Sequence, residues 1–539
     1  MTTWQDKVAG ERAKRDASLR KVDPKIEGMP DDLPLNSRGL PAVILTEREI
    51  EITESYTVTQ LLAVLRERTI SVEEVTRAFL RRAAVAHLAT NCLTELLWDE
   101  AITRAKWLDS LPEPKGALFG LPISTKEHHG MVGPGVVTNA SCVSWIGKPG
   151  GCTTLIETLW DEGCVYYART AQPQLIMHLE TTSNVYGRTV NPYNRNLTPG
   201  GSSGGESALL GMRGSILGIG GDIGGSVRCP GAHVGVYAFK PTTKRLSYLG
   251  VRGFMAGKES IMGTPGPMTV DREALELFMK VALAKKPWRL DPSIAAKEWT
   301  PYKFARPPKV AIQWWDGVVR PHPPMRRALE EVANACRKAG MEVVDWECES
   351  LDHQKGWEII SSLYWPDGGQ QVLGLLEESG EPILPLTKFI IQEQPSVKNL
   401  TQAELWERTS EREQFRTAYA RAWTQTGSKD GREIDFIICP PSFGAATPHD
   451  QSRYWGYTAI WNLLDYPGVV FPVTTVDPEK DPKDSQYEPL NDQDRFIYEM
   501  YSPEKFAGAP VSLQIVGRRQ YDEKVLAALA EVERAMGRN

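Results

Sequence analysis

Short apolar runs alternate with amphipathic segments along most of the chain. The short runs predict buried strands, and apolar residues spaced three and four positions apart predict helices. From residue 117 onward this pattern predicts strands over 309–313, 342–344, 436–438 and 468–471 and helices over 325–338 and 523–536. Such alternation is typical of the α/β class with a largely buried sheet.

The N-terminal part of the chain is predicted to be helical and then extended. The charged segment over 4–19 has a helical pattern, and the proline-rich stretch over 23–42 predicts an extended arm that wraps the body. Two amphipathic helices follow, one opened by Thr57 and one by Ser71, where Ser71 and Glu74 fit a capping box. We therefore predict an N-terminal helix and arm over 1–56 and one main domain over 57–539.

A second helix-like region lies in the C-terminal half, over 357–423 within a layer of about 355–425. It carries several aromatic residues and two interpretations of it stay open. The region is either a helical layer packed on the body, or a layer from which Trp365, Phe389 or Trp406 also lines a substrate pocket. The charged stretch over 475–494 is predicted to be a surface loop.

Composition and charge exclude several classes of function. The chain has 539 residues and a formal net charge of -6, and no basic stripe that would bind nucleic acid is present. No apolar segment is long enough to predict a membrane span. The eight cysteines are scattered without C-x-x-C pairs, which predicts a reducing compartment and no zinc site; they are Cys92, Cys142, Cys152, Cys164, Cys229, Cys336, Cys348 and Cys439. We expect a cytoplasmic location, no other metal and no cofactor.

Two glycine clusters with serine, at 200–205 and 224–226, are the candidates for chemistry. The first could be a flexible linker, but apolar flanks and a predicted buried strand over 234–239 argue against this. A phosphate cradle has no matching pattern. The elbow of an α/β-hydrolase is matched by 200–204, and the histidine that it requires could be His233, His322, His353 or His449. The remaining alternative is an acyl-transfer site that uses both clusters.

The runs GGSSGGE, GDIGGSVRCP and GVYAFKPT resemble the amidase signature family of serine hydrolases, as do the segments over 120–126, 167–174, 264–269 and 509–517. The resemblance spans about 56–532, with a core motif over 115–275, and is strongest to the fungal acetamidase or general amidase branch, which is related to the fatty-acid amide hydrolases. It implies a mixed central sheet covered by helices on both faces. The membrane helix that precedes the mammalian fatty-acid amide hydrolases has no counterpart in this sequence.

The resemblance also implies a catalytic triad. Ser226 corresponds to the nucleophile, Ser202 to a bridging serine that follows a cis peptide, and Lys126 to the base. A lysine can accept a proton only when burial has lowered its pKa. Backbone N–H groups would form the oxyanion hole, those of Ile223, Gly224, Gly225 and Ser226.

Other residues receive roles from the same resemblance. Ser203 corresponds to a partner of the lysine, while Asp222 and Arg228 would brace the nucleophile loop or form an ordinary buried ion pair. The resemblance implies that three residues line the acyl side of the substrate pocket, namely Ile176, Met177 and Leu179. The alternative is that these residues simply pack in the hydrophobic core. The sequence departs from the family at Gly221, where threonine is frequent, and at Ala171, where asparagine is usual. We expect His128 and His129, which follow Lys126 and Glu127, to be structural.

The function implied is hydrolysis of a small-molecule amide through an acyl-enzyme on Ser226, with release of a carboxylic acid and ammonia or an amine. Two alternatives stay open. The chain could be a noncatalytic or glutaminase-like subunit of an amidotransferase assembly, or it could act mainly on esters or carbamates. The expected partner is the amide substrate, and a homodimer is allowed by the sequence.

Overall fold

The computed structural model describes residues 3–133, 136–347 and 349–538. Helices occur along the whole of this part of the chain: α1 (Trp4–Leu19), α2 (Leu40–Ile44), α3 (Glu47–Glu54), α4 (Val58–Arg66), α5 (Val72–Thr90), α6 (Trp98–Ser110), α7 (Thr154–Asp161), α8 (Gly204–Gly211), α9 (Arg228–Val234), α10 (Glu273–Ala284), α11 (Pro323–Lys338), α12 (His353–Tyr364), α13 (Gln370–Ser379), α14 (Pro385–Gln392), α15 (Gln402–Gln425), α16 (Gly456–Leu463), α17 (Asp492–Met500), α18 (Pro503–Phe506) and α19 (Asp522–Ala535).

The strands of the main sheet are β1 (Leu93–Leu96), β2 (Pro122–Lys126), β3 (Val165–Thr170), β6 (Leu217–Asp222), β7 (Tyr237–Lys240), β8 (Thr264–Thr269), β9 (Lys309–Ile312), β10 (Glu342–Asp345), β11 (Phe436–Cys439), β12 (Gly468–Thr475) and β13 (Pro510–Val516). A separate small sheet is formed by β4 (Thr182–Ser183) and β5 (Gly187–Arg188). The order across the main sheet is β1-β3-β2-β6-β8-β7-β12-β13-β11-β9-β10.

The sheet is mixed. β2 runs parallel to both β3 and β6, and β9 runs parallel to both β10 and β11, whereas the other neighbouring pairs are antiparallel. Every residue of β2, β3, β6, β8, β9, β11 and β13 is buried. Because successive side chains of a strand point to opposite faces, both faces of the sheet are covered. The predicted α/β class with a buried mixed sheet is therefore confirmed.

The second helix-like region is helical, as predicted, and consists of α12, α13, α14 and α15. Its buried aromatic residues pack into a core of their own with α16, and this core includes Trp365, Tyr419, Trp423 and Trp461. The layer therefore packs on the body through an aromatic core.

Three local predictions need correction. Val234 ends α9, so the strand predicted over 234–239 begins only at Tyr237. The arm predicted as extended over 23–42 already turns into α2 at Leu40. The box at the start of α5 is half formed, because the Ser71 side chain accepts from the Glu74 N–H while the Glu74 carboxylate binds Arg48 instead. The helix predicted over 4–19 is confirmed at both ends.

Candidate active site

Lys126 is the last residue of β2 and is fully buried, with 0% of its surface exposed. Its Nζ lies 2.6 Å from Ser202 Oγ, the one side-chain hydrogen bond that Nζ makes with the described residues. Burial lowers the pKa of Lys126 from 10.5 to about 7, even though the charges of Asp222 and Glu206 act in the opposite direction. The amine is therefore able to exchange a proton near neutral pH.

Ser202 sits in a tight turn rather than in a flexible linker. The Gly201–Ser202 peptide is cis. A side chain on Gly201 would collide with the main chain of Glu180, because a Cβ there would lie 2.3 Å from the Glu180 carbonyl oxygen. The linker interpretation is therefore wrong, and the glycines serve close packing. The Ser203 N–H donates to the Ser226 carbonyl over 3.1 Å, which joins the two glycine clusters directly.

Ser226 lies in the turn between β6 and α9 and is 6% exposed. It lines the same cavity as Lys126 and Ser202. Its Oγ makes no hydrogen bond with the described residues, so the contact to Ser202 that a proton relay needs is not formed in this structure. Catalytic hydrogen bonds of this kind are often long in ligand-free enzymes and tighten when substrate binds.

The elbow interpretation is not supported by the position of the histidines. The GxSxG serine, Ser202, is 1% exposed and bonded to a lysine. None of the four candidate histidines lines the cavity within the described residues. They contact other groups instead: Cys229 for His233, the Ile497 carbonyl for His322, the Tyr419 hydroxyl for His353 and the Arg195 carbonyl for His449.

Asp222 and Arg228 form a bidentate ion pair beneath the nucleophile, with both N–O distances at 3.1 Å and both side chains fully buried. Burial alone would raise the pKa of Asp222, but the Arg228 charge holds it well below its usual range. The Asn462 amide bridges the pair by donating to Asp222 over 2.9 Å and accepting from Arg228 over 2.7 Å. The pair also receives the N–H groups of Gly225 and Val227, so it fixes the turn that carries Ser226.

The peptide groups around Ser226 differ in which of their N–H and C=O groups are already hydrogen-bonded within the protein. The Gly225 N–H donates to Asp222 over 2.9 Å, so this predicted oxyanion donor is used inside the protein. The Gly224 carbonyl accepts from Thr458 over 2.7 Å, and the Ile223 carbonyl accepts from the Tyr364 hydroxyl over 2.9 Å. Within the described residues the N–H groups of Ile223, Gly224 and Ser226 have no partner, and they are the donors available to a bound oxyanion.

Ser203 occupies a different place from the one predicted. Its Oγ lies 3.3 Å from the Gly221 N and 3.5 Å from the Gly221 carbonyl, and among the described residues it makes no hydrogen bond to Lys126. Gly221 itself borders the cavity, where a Cβ would lie 3.3 Å from His128 Nε2. The missing threonine thus leaves room beside this histidine.

His128 and His129 are both buried, and their rings lie 4.3 Å apart. His129 Nε2 contacts the Gly220 carbonyl at 3.1 Å, a structural role, whereas His128 lines the cavity. Burial lowers the pKa of both rings, which are neutral at pH 7. In the described part of the chain no cluster of His, Cys, Asp or Glu could hold a metal ion, and Cys348 lies outside the described residues.

The cavity has a volume of about 450 Å³ and a largely apolar wall. Ile176 and Met177 line it as predicted, but Leu179 packs in the core and Leu175 lines the wall in its place. Of the three aromatic candidates from the helical layer, Trp365 alone lines the cavity, since Phe389 faces a separate groove and Trp406 is 64% exposed.

Two parts of the cavity wall were not predicted from the sequence. One is the loop between β7 and β8, here called the covering loop (residues 248–263), which supplies more than half of the cavity's lining residues. The other is Tyr364, at the end of α12, which lines the cavity and bonds the Ile223 carbonyl.

Comparison with known proteins agrees with this geometry. The model of the family described as Amidase matches residues 74–526. A Schizosaccharomyces pombe relative that is named as an amidase is 42% identical to this chain, over 98% of each chain. The acetamidase of Emericella nidulans is 36% identical over 99% of this chain and 98% of its own.

A solved structure titled fatty acid amide hydrolase superimposes with a TM-score of 0.92 at 33% identity, covering 99% of this chain and 95% of that one. The chain belongs to the amidase family, the amidase signature hydrolases that its motifs resemble. No helix in the described part of the chain combines the length and apolar character needed to cross a bilayer.

Proposed function

We propose that the chain hydrolyses carboxamides through an acyl-enzyme on Ser226. The observation that carries this proposal is the fully buried Lys126, whose Nζ lies 2.6 Å from Ser202 Oγ in the cavity that Ser226 also lines. A serine hydroxyl is a weak nucleophile unless a base within reach takes its proton. A lysine with its pKa lowered to about 7 is such a base.

In the first half of the reaction, Ser226 Oγ attacks the amide carbonyl carbon and its proton passes through Ser202 Oγ to Lys126 Nζ. The C=O bond becomes a C–O⁻ bond, held by the free N–H groups of Ile223, Gly224 and Ser226. The ammonium then returns its proton through Ser202 to the substrate nitrogen, because an amide anion cannot leave unaided. The C–N bond breaks and ammonia or an amine departs.

In the second half, water attacks the acyl carbon and gives its proton to Lys126 by the same relay. Collapse of the second tetrahedral intermediate breaks the bond to Ser226 Oγ, which takes the proton back. The products are a carboxylic acid and the free enzyme. The site in this scheme needs no redox change, so the proposal includes no cofactor.

Tyr364 and Thr458 are proposed as positioning residues for the oxyanion hole. The C=O and N–H of a trans peptide point in opposite directions. A Tyr364 hydroxyl bonded to the Ile223 carbonyl therefore turns the Gly224 N–H the other way. The next peptide is held at both ends, its carbonyl by Thr458 and its N–H by Asp222. Its role is to fix the shape of the loop, in place of the donor role first predicted for Gly225.

The apolar wall favours amides with an aliphatic or aromatic group next to the scissile bond. Esters and carbamates fit the same chemistry and are tested beside amides. We further propose a cytoplasmic enzyme that does not bind nucleic acid, on the strength of cysteines scattered without C-x-x-C pairs and a net charge of -6.

The test is a substrate panel with the purified chain: acetamide, longer aliphatic amides, an anilide, an ester and a carbamate, with acid and amine both quantified. We expect amide turnover that Ser226→Ala abolishes, with retained secondary structure. Ser512→Ala is the matched control, because Ser512 is also buried and bonds a carbonyl, that of Ala232, outside the cavity.

Trapping supplies a second readout. A fluorophosphonate should phosphonylate Ser226 Oγ with loss of fluoride and add the mass of the phosphonyl group to the peptide that contains Ser226, and Lys126→Ala should suppress this labelling. Unchanged amine release from Ser226→Ala would overturn the proposal. No turnover by the chain alone, but turnover once lysate fractions are added, would instead indicate a subunit of a larger assembly.

A further inference from the structure

The cavity wall contains a cation that the proposed reaction does not use. Lys258 belongs to the covering loop and lines the same cavity as Ser226. Arg252 also lines it, but the Arg252 guanidinium is occupied by three main-chain carbonyls, those of Thr138, Lys148 and Pro149. Lys258 is therefore the residue to examine for ligand recognition.

The Lys258 ammonium is only partly satisfied. Nζ donates one hydrogen bond, over 2.9 Å, to the carbonyl of Tyr364 at the end of α12. Nζ also lies over the Tyr364 ring, 6.0 Å from its centroid, but it makes no second hydrogen bond with the described residues, and none of their carboxylates lies within the 4.0 Å of an ion pair. The negative charge of Asp367 raises the pKa of Lys258, but the Asp367 carboxylate oxygens accept hydrogen bonds from the N–H groups of Gly369 and Gln371.

A charged group that has lost water is costly unless another charge or a set of hydrogen bonds compensates it. Lys258 is half-buried, so it has lost part of its hydration; this partial burial lowers its pKa to about 8, at which most molecules still carry the charge at pH 7. Two arginines of the interior are paired with carboxylates, Arg228 with Asp222 and Arg245 with Glu523, whereas Lys258 has no such counterion among the described residues. The free donors of Lys258 instead border the volume where the substrate binds.

Tyr364 fixes how far this cation lies from the reacting bond. Its main-chain carbonyl holds Lys258, and its hydroxyl holds the Ile223 carbonyl beside the oxyanion donors. The ammonium lies 6.0 Å from the centroid of the Tyr364 ring, so the cation and the oxyanion loop contact the same tyrosine. A ligand amide seated at that loop would reach Lys258 with an acceptor group a few carbon atoms away.

We propose that Lys258 forms a subsite for a carboxylate carried by the amide substrate, at a distance of a few carbon atoms from the scissile bond. This inference rests on the proposed amidase function and specifies its substrate class. A carboxylate would accept charge-assisted hydrogen bonds from the free N–H groups, and these are stronger than bonds between neutral groups. The carboxylate is carried either by the acyl group, as in a dicarboxylic acid monoamide, or by the leaving amine, as in an N-acyl amino acid.

The experiment compares kcat/KM for matched pairs of substrates. The monoamides of succinic, glutaric and adipic acid are each paired with an unbranched neutral amide of equal length, and N-butyryl-β-alanine is paired with a neutral N-alkyl butyramide. We expect at least one carboxylate-bearing substrate to be preferred, and the preference ratio to fall about tenfold or more in Lys258→Met. The substrate pair that shows the preference identifies whether the carboxylate is carried on the acyl side or on the amine side of the scissile bond.

Two further variants separate recognition from attachment of the loop. Lys258→Arg retains a cation and should preserve part of the ratio. Lys244→Met is the control, because Lys244 holds the covering loop through Glu259 at 3.5 Å and does not line the cavity; its ratio should equal that of the parent.

The outcomes distinguish the two proposals. Neutral and acidic amides cleaved without preference by the parent, or a ratio unchanged in Lys258→Met, would overturn the subsite and leave the amidase function standing. Absence of hydrolysis for every amide would overturn the function itself and the subsite with it. A ratio that falls equally in Lys244→Met would assign Lys258 to fastening of the loop and would also overturn the subsite.

Discussion

Replacing Lys126 by methionine should make the fold more stable while abolishing turnover. Methionine has a similar length and carries no charge to desolvate. Lys126 is fully buried and its pKa is lowered from 10.5 to about 7 by that burial. Folding therefore either strips water from an ammonium or removes its proton, and both cost free energy.

The magnitude follows from proton linkage. A base whose pKa drops from 10.5 to about 7 on folding costs about 4 kcal/mol at pH 7. The cost is full below pH 7, shrinks as pH rises from 7 toward 10.5, and is about 1 kcal/mol at pH 9.5. Loss of the contact to Ser202 subtracts about 1 kcal/mol from the gain. The net gain is about 3 kcal/mol at pH 7 and close to zero at pH 9.5.

Differential scanning calorimetry at a fixed scan rate measures this gain. For 539 residues the entropy of unfolding is about 1.1 kcal/mol/K, so Lys126→Met should raise Tm by about 3 °C at pH 7. Lys280→Met is the control, because Lys280 is exposed and paired with Glu276, and its Tm should move by less than about 1 °C. Equal Tm values for the parent and Lys126→Met at pH 7, or the same rise at pH 7 and pH 9.5, would refute the idea of a desolvated lysine.

Three other predictions concern the same site. The pH profile of kcat/KM should show an acid limb at about pH 7 and fall tenfold per pH unit below it, because protonated Lys126 accepts no proton; a limb below pH 5.5 would contradict this. Tyr364→Phe should lower kcat about tenfold with little change in KM and weaken a trifluoromethyl ketone inhibitor in parallel, whereas Tyr166→Phe, which loses a bond to the Ile156 carbonyl outside the cavity, should leave kcat unchanged. Arg228→Met should destabilise the fold by about 3–5 kcal/mol in urea unfolding, since it leaves Asp222 buried without its counterion, and a loss under 1 kcal/mol would show that water replaces it.

Many of the helices and strands could be predicted from local sequence patterns. Thr57 and Thr3 cap their helices as their side-chain chemistry demands, and fully apolar runs such as the one at Phe436 became buried strands. The capping box of Thr46 with Glu49 marks the start of α3 in the sequence, a helix for which no prediction was made. The box predicted at Ser71 failed because a long-range partner, Arg48, competes for the Glu74 carboxylate.

The candidate site likewise contains residues that the sequence could predict and residues that it could not. Lys126, Ser202 and Ser226 lie in recognisable segments, so sequence alone could nominate them. Tyr364 and Thr458 bond the oxyanion loop from 141 and 234 residues away, and no local pattern marks them. Hydrogen bonding also decided details that no motif encodes.

Gly225 shows this most clearly, because its N–H is taken by Asp222. Leu179 likewise lies two residues beyond Met177, but it points into the core rather than into the cavity. Both outcomes depend on tertiary neighbours and could not be predicted from spacing.

The position of β13 in the sheet has a consequence for biosynthesis. This strand is synthesised after all the other described strands of the sheet, yet it lies between β12 and β11 and pairs with both of them. Until residue 516 has emerged, the strands β9, β10 and β11 have no strand through which to pair with the half of the sheet that holds the nucleophile. A nascent or truncated chain that ends before β13 is therefore expected to be inactive, because its sheet remains in two separate parts.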